Sequence, residues 1–419
     1  MHPNALLELA TDLLHKVMQF DSPTDGIVSA FFREHRALGA RERHSLAETT
    51  YNVLRNRLLY QHLAQSGKGE MDRRLVLLGW QGNEGFLRAA LNEHEQQWLE
   101  KVKLVDRASL PEKLRHNLPE WLADPLHMAL GDEFWPLVDS LNQSAALDLR
   151  VNTFKAKREG VQAALAKANI EALATPYSPW GLRIQGKPAL SKLDVFTQGE
   201  VEVQDEGSQL LALMTDAKRG EMVVDFCAGA GGKTLALGAS MRNTGRLYAF
   251  DTSGHRLAAL KPRLARSGLS NVYPVQIAHE RDDRIKRLAG KIDRVLVDAP
   301  CSGLGTLRRN PDMKWRQSPE AIEELKAKQA SILASAARLL KPGGRLVYAT
   351  CSLLEDENEA VANSFSEAQG RNFKTLRASE VLEKAHVANA STIVRDQFLR
   401  LWPHRHATDG FFAAAWERN

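Results

Sequence analysis

Apolar residues recur every three or four positions through the first hundred residues, and the rhythm then changes. Near the start, Leu6, Leu9, Ala10, Leu13 and Val17 fall on one face of an amphipathic helix. Between 41 and 65, Leu46, Tyr51, Leu54, Leu58 and Leu59 continue the stripe and predict a helix packed in a bundle. Three prolines in "LPEKLRHNLPEWLADPL" (110–126) break the pattern into short helices and connectors. The middle part reads as a small α/β unit. "LDLRVNTF" (147–154) alternates like a strand, "KREGVQAALAKANI" (157–170) is an amphipathic helix, and "GLRIQG" (181–186) is a second strand.

From about residue 201, nearly continuous apolar runs alternate with helical stretches. "EMVVDFC", "GRLYAFD", "NVYPVQI", "DRVLVDAP" and "GRLVYATC" are strand candidates, and "PEAIEELKAKQASILASAARLLKPGG" (319–344) is a long helix stopped by Pro342 and Gly343. Such strands, linked by helices, imply a doubly wound, mostly parallel α/β sheet. "DGFFAAAWER" (409–418) is expected to complete one edge. The chain therefore divides into a helical part (1–105), a small α/β module (106–200) and a Rossmann-like domain (201–419).

Ligands of doubly wound sheets bind beyond the carboxyl ends of the strands. The first strand there runs into "DFCAGAGGKTLALG" (225–238), where Gly229, Gly231 and Gly232 allow a tight turn. The next strand ends at Asp251, placed to accept hydrogen bonds from ribose hydroxyls. "GGKT" suggests a phosphate-cradling loop, but the required glycine five positions before Gly232 is Cys227. A nicotinamide dehydrogenase would need a pyrophosphate site and a hydride-handling His or Tyr. S-adenosyl-L-methionine, which needs ribose and adenine contacts but no phosphate site, fits the turn and Asp251 best.

Composition narrows the class. The chain is 43% hydrophobic and 26% charged, as in ordinary soluble proteins. No run approaches the roughly 18 apolar residues of a membrane helix. The amphipathic start does not read as a leader, so the expected location is cytoplasmic, without membrane attachment. Three cysteines argue against a disulfide framework, and no Cys/His cluster has zinc spacing, so no metal is expected. Of the net charge of +5, position matters more than amount: residues 255–316 hold fourteen Lys/Arg against six Asp/Glu. A basic surface beside a strand end suits a nucleic-acid substrate or, equally, a solvated helix face. Within it, "TLRRNPDMKWR" interleaves Arg308, Arg309, Lys314 and Arg316 with Trp315, cations for phosphates and an indole for stacking an unpaired base.

Two of the three cysteines, Cys301 and Cys351, stand just past strand candidates, on the face expected to carry the cofactor loop. That placement fits pyrimidine methylation. C5 of cytosine is a weak nucleophile. A thiolate added to C6 turns the ring into an enamine whose C5 can attack a methyl donor. An acid near N3 would assist, and Asp298 lies three residues before Cys301. Afterwards the C5 proton must leave and the sulfur–carbon bond must break. The alternative is that both cysteines are small buried hydrophobes; Cys227 reads better as packing than as a nucleophile.

With these residues in view, the chain resembles the RNA cytosine-5 methyltransferases of the NOP2/Sun family, and within it the RsmB-type branch that acts on 16S ribosomal RNA. "DFCAGAGGKT", "AFDTSGHRL", "VLVDAPCSGLGTLRRNPDMKW", "VYATCSLLEDENEAV" and "RLWPHRHATDGFFAAAW" fall in the family's order. The N-terminal part is similar to the family's NusB-like RNA-binding helical domain, and the middle part to its RRM-like module. The resemblance implies Cys351 as the nucleophile and Cys301 as the residue that helps release product. Asp298 would contact cytosine and cofactor, and Lys233 would lie near both. Cys227, Ala228, Gly229, Ala230, Gly231, Gly232 and Lys233 would wrap the methionine part of S-adenosyl-L-methionine, and Asp251 would hold the ribose. Small-subunit ribosomal RNA is the implied partner, and a monomer the expected state. Two positions depart from the family pattern. Gly229 and Ala230 replace the usual Ala-Pro, and Ile277, Ala278 and His279 stand where an adenine-proximal aspartate is usual. Two rival readings stay open. A DNA cytosine-5 methyltransferase would use Cys301 as nucleophile, and an RNA-binding ribosome-assembly factor would have lost catalysis.

Overall fold

The computed structural model describes residues 2–186 and 188–419, in two compact units. The first comprises residues 2–144 together with residues 306–319. Its N-terminal helices, among them Pro3–Val17, Ala40–Arg55, Arg57–Ala64 and Met71–Gly79, bury Leu7, Leu13, Leu14, Val17, Leu46, Val53, Leu54 and Val76 in one core. The stripe expected over 41–65 is interrupted at Asn56, where one helix ends and the next begins. Helices continue to Leu141, and the first strand starts at Leu147. Residue 105, the expected boundary, lies between the helices Glu93–Lys103 and Glu112–His116.

Residues 306–319 are built into this helical unit. Lys314 Nζ donates to Arg55 O at 2.9 Å, and Trp315 Nε1 donates to Leu54 O at 2.9 Å. These carbonyls belong to the last turn of Ala40–Arg55, which has no partner within the helix. Arg55 in return donates to Arg308 O at 3.0 Å, and Thr24 N donates to Asp312 at 3.2 Å.

The second unit holds two sheets. The smaller has the order β2-β3-β1-β4 and is antiparallel throughout: β1 Leu147–Val151, β2 Ala172–Ala174, β3 Gly181–Ile184 and β4 Val201–Val203. The larger runs β11-β12-β13-β9-β8-β5-β6-β7, with β10 also paired to β13. Its parallel strands are β5 Met222–Asp225, β6 Arg246–Asp251, β7 Val272–Gln276, β8 Ile292–Asp298 and β9 Leu340–Thr350. The antiparallel strands are β10 Phe373–Leu376, β11 Val394–Arg395, β12 Phe398–Leu401 and β13 Phe411–Arg418. The expectation that 409–418 forms an edge is corrected: β13 lies between β9 and β12. Phe411 through Trp416 are all buried, as an interior strand requires.

Alternation along these strands feeds two cores. Val223, Leu247, Ala249, Leu296, Val347 and Ala413 face one, and Val224, Phe250, Val295, Val297, Tyr348, Phe412 and Trp416 face the other. From β5 the chain winds outward through β6 and β7, then returns to place β8 on the other side of β5. The strand order reverses there, and the crevice beyond the carboxyl ends of β5 and β8 is where such sheets take ligands.

Candidate active site

Four chemically distinctive residues sit at the carboxyl ends of adjacent strands. Asp225 ends β5, Asp251 ends β6, Asp298 ends β8, and Cys351 follows β9. Beyond β5 the chain turns through Cys227–Gly231 into the helix Gly232–Ser240. Gly229 has φ +55 and Gly231 φ +83, conformations that glycine adopts without strain. Gly229 thus explains the first departure from the family pattern: the turn takes a left-handed residue there. The loop is pinned from three sides. Gly229 N donates to Asp251 at 2.8 Å, Ala228 N donates to Phe250 O at 2.8 Å, and Arg263 donates to Ala230 O at 2.6 Å. Arg263 also pairs with Glu202 of β4, which links the small sheet to the loop.

The carboxylates differ in their surroundings. Asp225 is buried, and burial pushes its pKa up to about 7 against a 2.6 Å hydrogen bond from Thr234 that favours the charged form. Its other oxygen, Oδ1, is buried without a hydrogen-bond partner. Asp251 accepts from Ser253 N at 2.7 Å as well as from Gly229 N, and both oxygens keep lone pairs for further donors. Asp298 accepts from Lys233 Nζ at 2.7 Å. Burial works against the Lys233 ammonium, but the field and hydrogen bond of Asp298 more than offset it, and Cys351 adds to the same effect. Asp298 and Asp225 both act on the Lys233 ammonium, and Asp251 acts on Asp225.

Cys301 and Cys351 face each other, with Sγ atoms 3.3 Å apart, and Cys351 N approaches Cys301 Sγ at 3.3 Å. Their strands, β8 and β9, are paired in parallel, with Asp298 opposite Ala349, so both loops leave the sheet on the same side. Gly305 closes the gap. Its N–H donates to Cys351 O at 2.8 Å, and its carbonyl accepts from Gly410 N at 2.8 Å. The hydrogen bond to Cys351, burial and the nearby charges of Cys351 and Glu357 raise the Cys301 thiol well above its ordinary value. Cys227 is likewise held as a thiol by burial and by Asp225, Asp298 and Asp251, in keeping with a packing role.

The other expected positions are distributed differently. Of the residues assigned to RNA, Lys314 is buried, Arg308 is nearly so, and Trp315 packs on the helical core. Arg316 pairs with Asp312 at 3.6 Å, and Arg309 is half-buried. Lys314 and Trp315 direct their donors at helix carbonyls, so the cluster acts as a tie within the helical unit. Near the end of β7, Ile277 is buried and its N–H donates to Asp251 O. The carboxylate there is Asp282, which accepts from Ala278 N at 2.9 Å. Sequence reasoning passed over Asp225, although it opens the glycine-rich turn. It also passed over Ser302, Ser352 and Glu357, although a serine follows each of the two cysteines.

A sheet in this order, with acidic strand ends around a glycine turn, defines a Rossmann-like methyltransferase domain. The family described as 16S rRNA methyltransferase RsmB/F matches residues 212–417, and the ferredoxin-like domain of RsmF/B-like methyltransferases matches residues 118–191. A probable ribosomal RNA small subunit methyltransferase B of Synechocystis sp. is 31% identical, across 97% of this chain and 98% of its own length. The crystal structure of PH0851 aligns with 100% of this chain and 99% of its own, at TM-score 0.80 and 26% identity. A methyltransferase homolog protein from Pyrococcus horikoshii covers 75% of this chain and 100% of its own, at TM-score 0.63 and 27% identity. The chain belongs to the RsmB/F methyltransferase family.

Proposed function

We propose that the protein methylates C5 of a cytosine in small-subunit ribosomal RNA, with S-adenosyl-L-methionine as donor and Cys351 as covalent nucleophile. The observation that carries this reading is the pair of thiols 3.3 Å apart beside the Lys233–Asp298 pair. The ribosomal substrate is supported by the Synechocystis relative, matched along nearly its whole length.

The donor set fits the cofactor. S-adenosyl-L-methionine supplies an electrophilic methyl group on a sulfonium, and it also carries an ammonium. Asp225 Oδ1, buried and without a partner, is matched to that ammonium. The loop Cys227–Lys233 would wrap the methionine part, and Asp251 would take the ribose hydroxyls. Gly229 leaves open space where a Cβ would stand.

The protein's own groups then divide the work. The Cys351 thiolate attacks C6, and a proton reaches N3 from the Asp298–Lys233 pair. C5 takes the methyl group; Cys301, after yielding its own proton to solvent, accepts the C5 proton, the C6–S electron pair returns to Cys351, and the N3 proton returns to the Asp298–Lys233 pair. Charge placement supports this order of the sulfurs independently of family likeness. The Lys233 ammonium interacts with Cys351, whereas the Glu357 carboxylate acts on Cys301.

The test uses two variants and bisulfite sequencing of small-subunit RNA. Cys351→Ala is expected to abolish methylation, and Cys301→Ala to accumulate a protein–RNA adduct. Full activity of Cys351→Ala would refute the assignment. Adduct formation through Cys301 in that variant would favour the chemistry of the DNA enzymes.

A further inference from the structure

Each cysteine is followed by a serine, and both serines converge on one carboxylate. Ser302 and Ser352 hydroxyls both donate to Glu357 Oε2 and lie 3.2 Å from each other. Ser302 N donates to Glu357 Oε1 at 2.9 Å, and Gln329 Nε2 reaches the same oxygen at 3.0 Å. Gln329, from the long helix Pro319–Ala337, also donates to Pro300 O, directly before Cys301. The Tyr348 hydroxyl donates to the backbone carbonyl of Glu357. The carboxylate is fully buried, as are Ser302, Ser352 and Gln329. Its hydrogen bonds take in the residue after each cysteine.

Burying a carboxylate among neutral donors costs stability, and it is tolerable only when its lone pairs are satisfied. Here four donors from three elements meet at two oxygens. Relative motion of the cysteine loops would break at least one of these bonds. The Cys351 loop reaches Glu357 through the Ser352 hydroxyl, whereas the Cys301 loop holds it by both hydroxyl and backbone N–H.

We propose that Glu357 is a positioning residue that keeps Cys301 and Cys351 in register for the two halves of the methyl-transfer reaction. The inference rests on the cysteine-pair reading above. Nucleophile and release group must act in turn on one ring, and a misplacement of about 1 Å can lower the rate by roughly a hundredfold. Glutamine at 357 preserves the clamp, because its carbonyl can accept from Ser302 N and Gln329 while the hydroxyls turn to accept from its amide. Alanine releases it.

The test compares Glu357→Ala, Glu357→Gln and Ser352→Ala with the wild type by two readouts. One is kcat and KM for methyl transfer to small-subunit RNA. The other needs no RNA: closure of a Cys301–Cys351 disulfide by diamide, in which two thiol hydrogens and two electrons pass to the azo bond, followed by peptide mass. Glu357→Ala is expected to lower kcat about a hundredfold with little change in KM, and to slow closure at least tenfold. Glu357→Gln should keep kcat close to wild type and close the disulfide no more slowly than the wild type does. Ser352→Ala should show a smaller loss of the same kind, and it decides the matter if Glu357→Ala does not fold. Unchanged closure, or slowed closure with unchanged kcat, would overturn the positioning role. Methylation by Cys351→Ala would overturn the cysteine reading instead, while the closure rates still report on the clamp.

Discussion

Asp225 offers a perturbation whose sign and size follow from burial. Its folded pKa is about 7 against an ordinary 3.8, a rise of about three units. At about 1.4 kcal/mol per unit this corresponds to about 4 kcal/mol. The direction is opposite to that of a salt-bridged carboxylate. Between these values the folded protein binds more protons at this site than the unfolded chain, so stability falls as pH rises from about 4 to about 7. Asp225→Asn keeps an acceptor for Thr234 and removes the buried charge. At pH 4 the two proteins should have similar stability. At pH 8 the variant should be the more stable by up to about 4 kcal/mol, because only the wild type buries a charge there. The assay is urea unfolding of both proteins at unit steps from pH 4 to 8, taking the difference so that other titrating groups cancel. S-adenosyl-L-methionine at pH 8 should then stabilise the wild type and leave the variant nearly unchanged, since the ammonium has lost its counter-charge. Parallel stability profiles across this range would refute the reasoning.

Three further outcomes are expected. Lys314, pulled down to about 7 by burial, binds fewer protons when folded than when unfolded between that value and 10.5; stability of the helical unit should rise with pH across that window, and Lys314→Met should flatten the rise in unfolding experiments. Gly305→Ala would place a Cβ 2.0 Å from Gly410 O and 2.8 Å from Cys351 O. It should destabilise the protein by about 1–3 kcal/mol in denaturant and depress turnover in the folded fraction. Lys233→Met removes the cation facing Asp298 and Cys351, so methyl transfer should fall at least about a hundredfold while the thermal transition persists; wild-type turnover would exclude Lys233 from the reaction.

Much of this architecture was legible in the chain because it rests on local patterns. The five parallel strands announce themselves as apolar runs, three of them ending in Asp225, Asp251 and Asp298 and a fourth running into Cys351, since strands covered on both faces have no polar alternation to hide them. What the pattern could not convey is pairing. The short strands Val201–Val203 and Val394–Arg395 carry too few residues for a periodicity, and the interior place of Phe411–Arg418 depends on pairing with both Phe398–Leu401 and the more distant Leu340–Thr350. Charge is the harder case. Lys314 and Trp315 look like an RNA contact because their types suit phosphate and base, yet both face carbonyls more than 250 residues earlier in the chain. A cation at a helix C-terminus and a cation on a phosphate are the same residue choice, and only burial separates them.

The proposed ranking of the two cysteines illustrates what neighbouring charge adds to motif. In the chain, "PCS" and "TCS" are chemically equivalent, each a thiol beyond a strand with a hydroxyl beside it. The fold gives them unequal neighbours: Lys233, sixty-five residues before Asp298 and paired with it, interacts with Cys351, and buried Glu357 accepts from the N–H of the residue after Cys301. Exchanging these charges is the decisive experiment in principle, and Glu357→Gln approximates half of it. Neutralising residue 357 leaves the clamp in place but removes the carboxylate that helps hold Cys301 protonated. Alkylation of Cys301 by iodoacetamide at fixed pH should therefore quicken in that variant, whereas a purely steric role for Glu357 would leave the rate where it was.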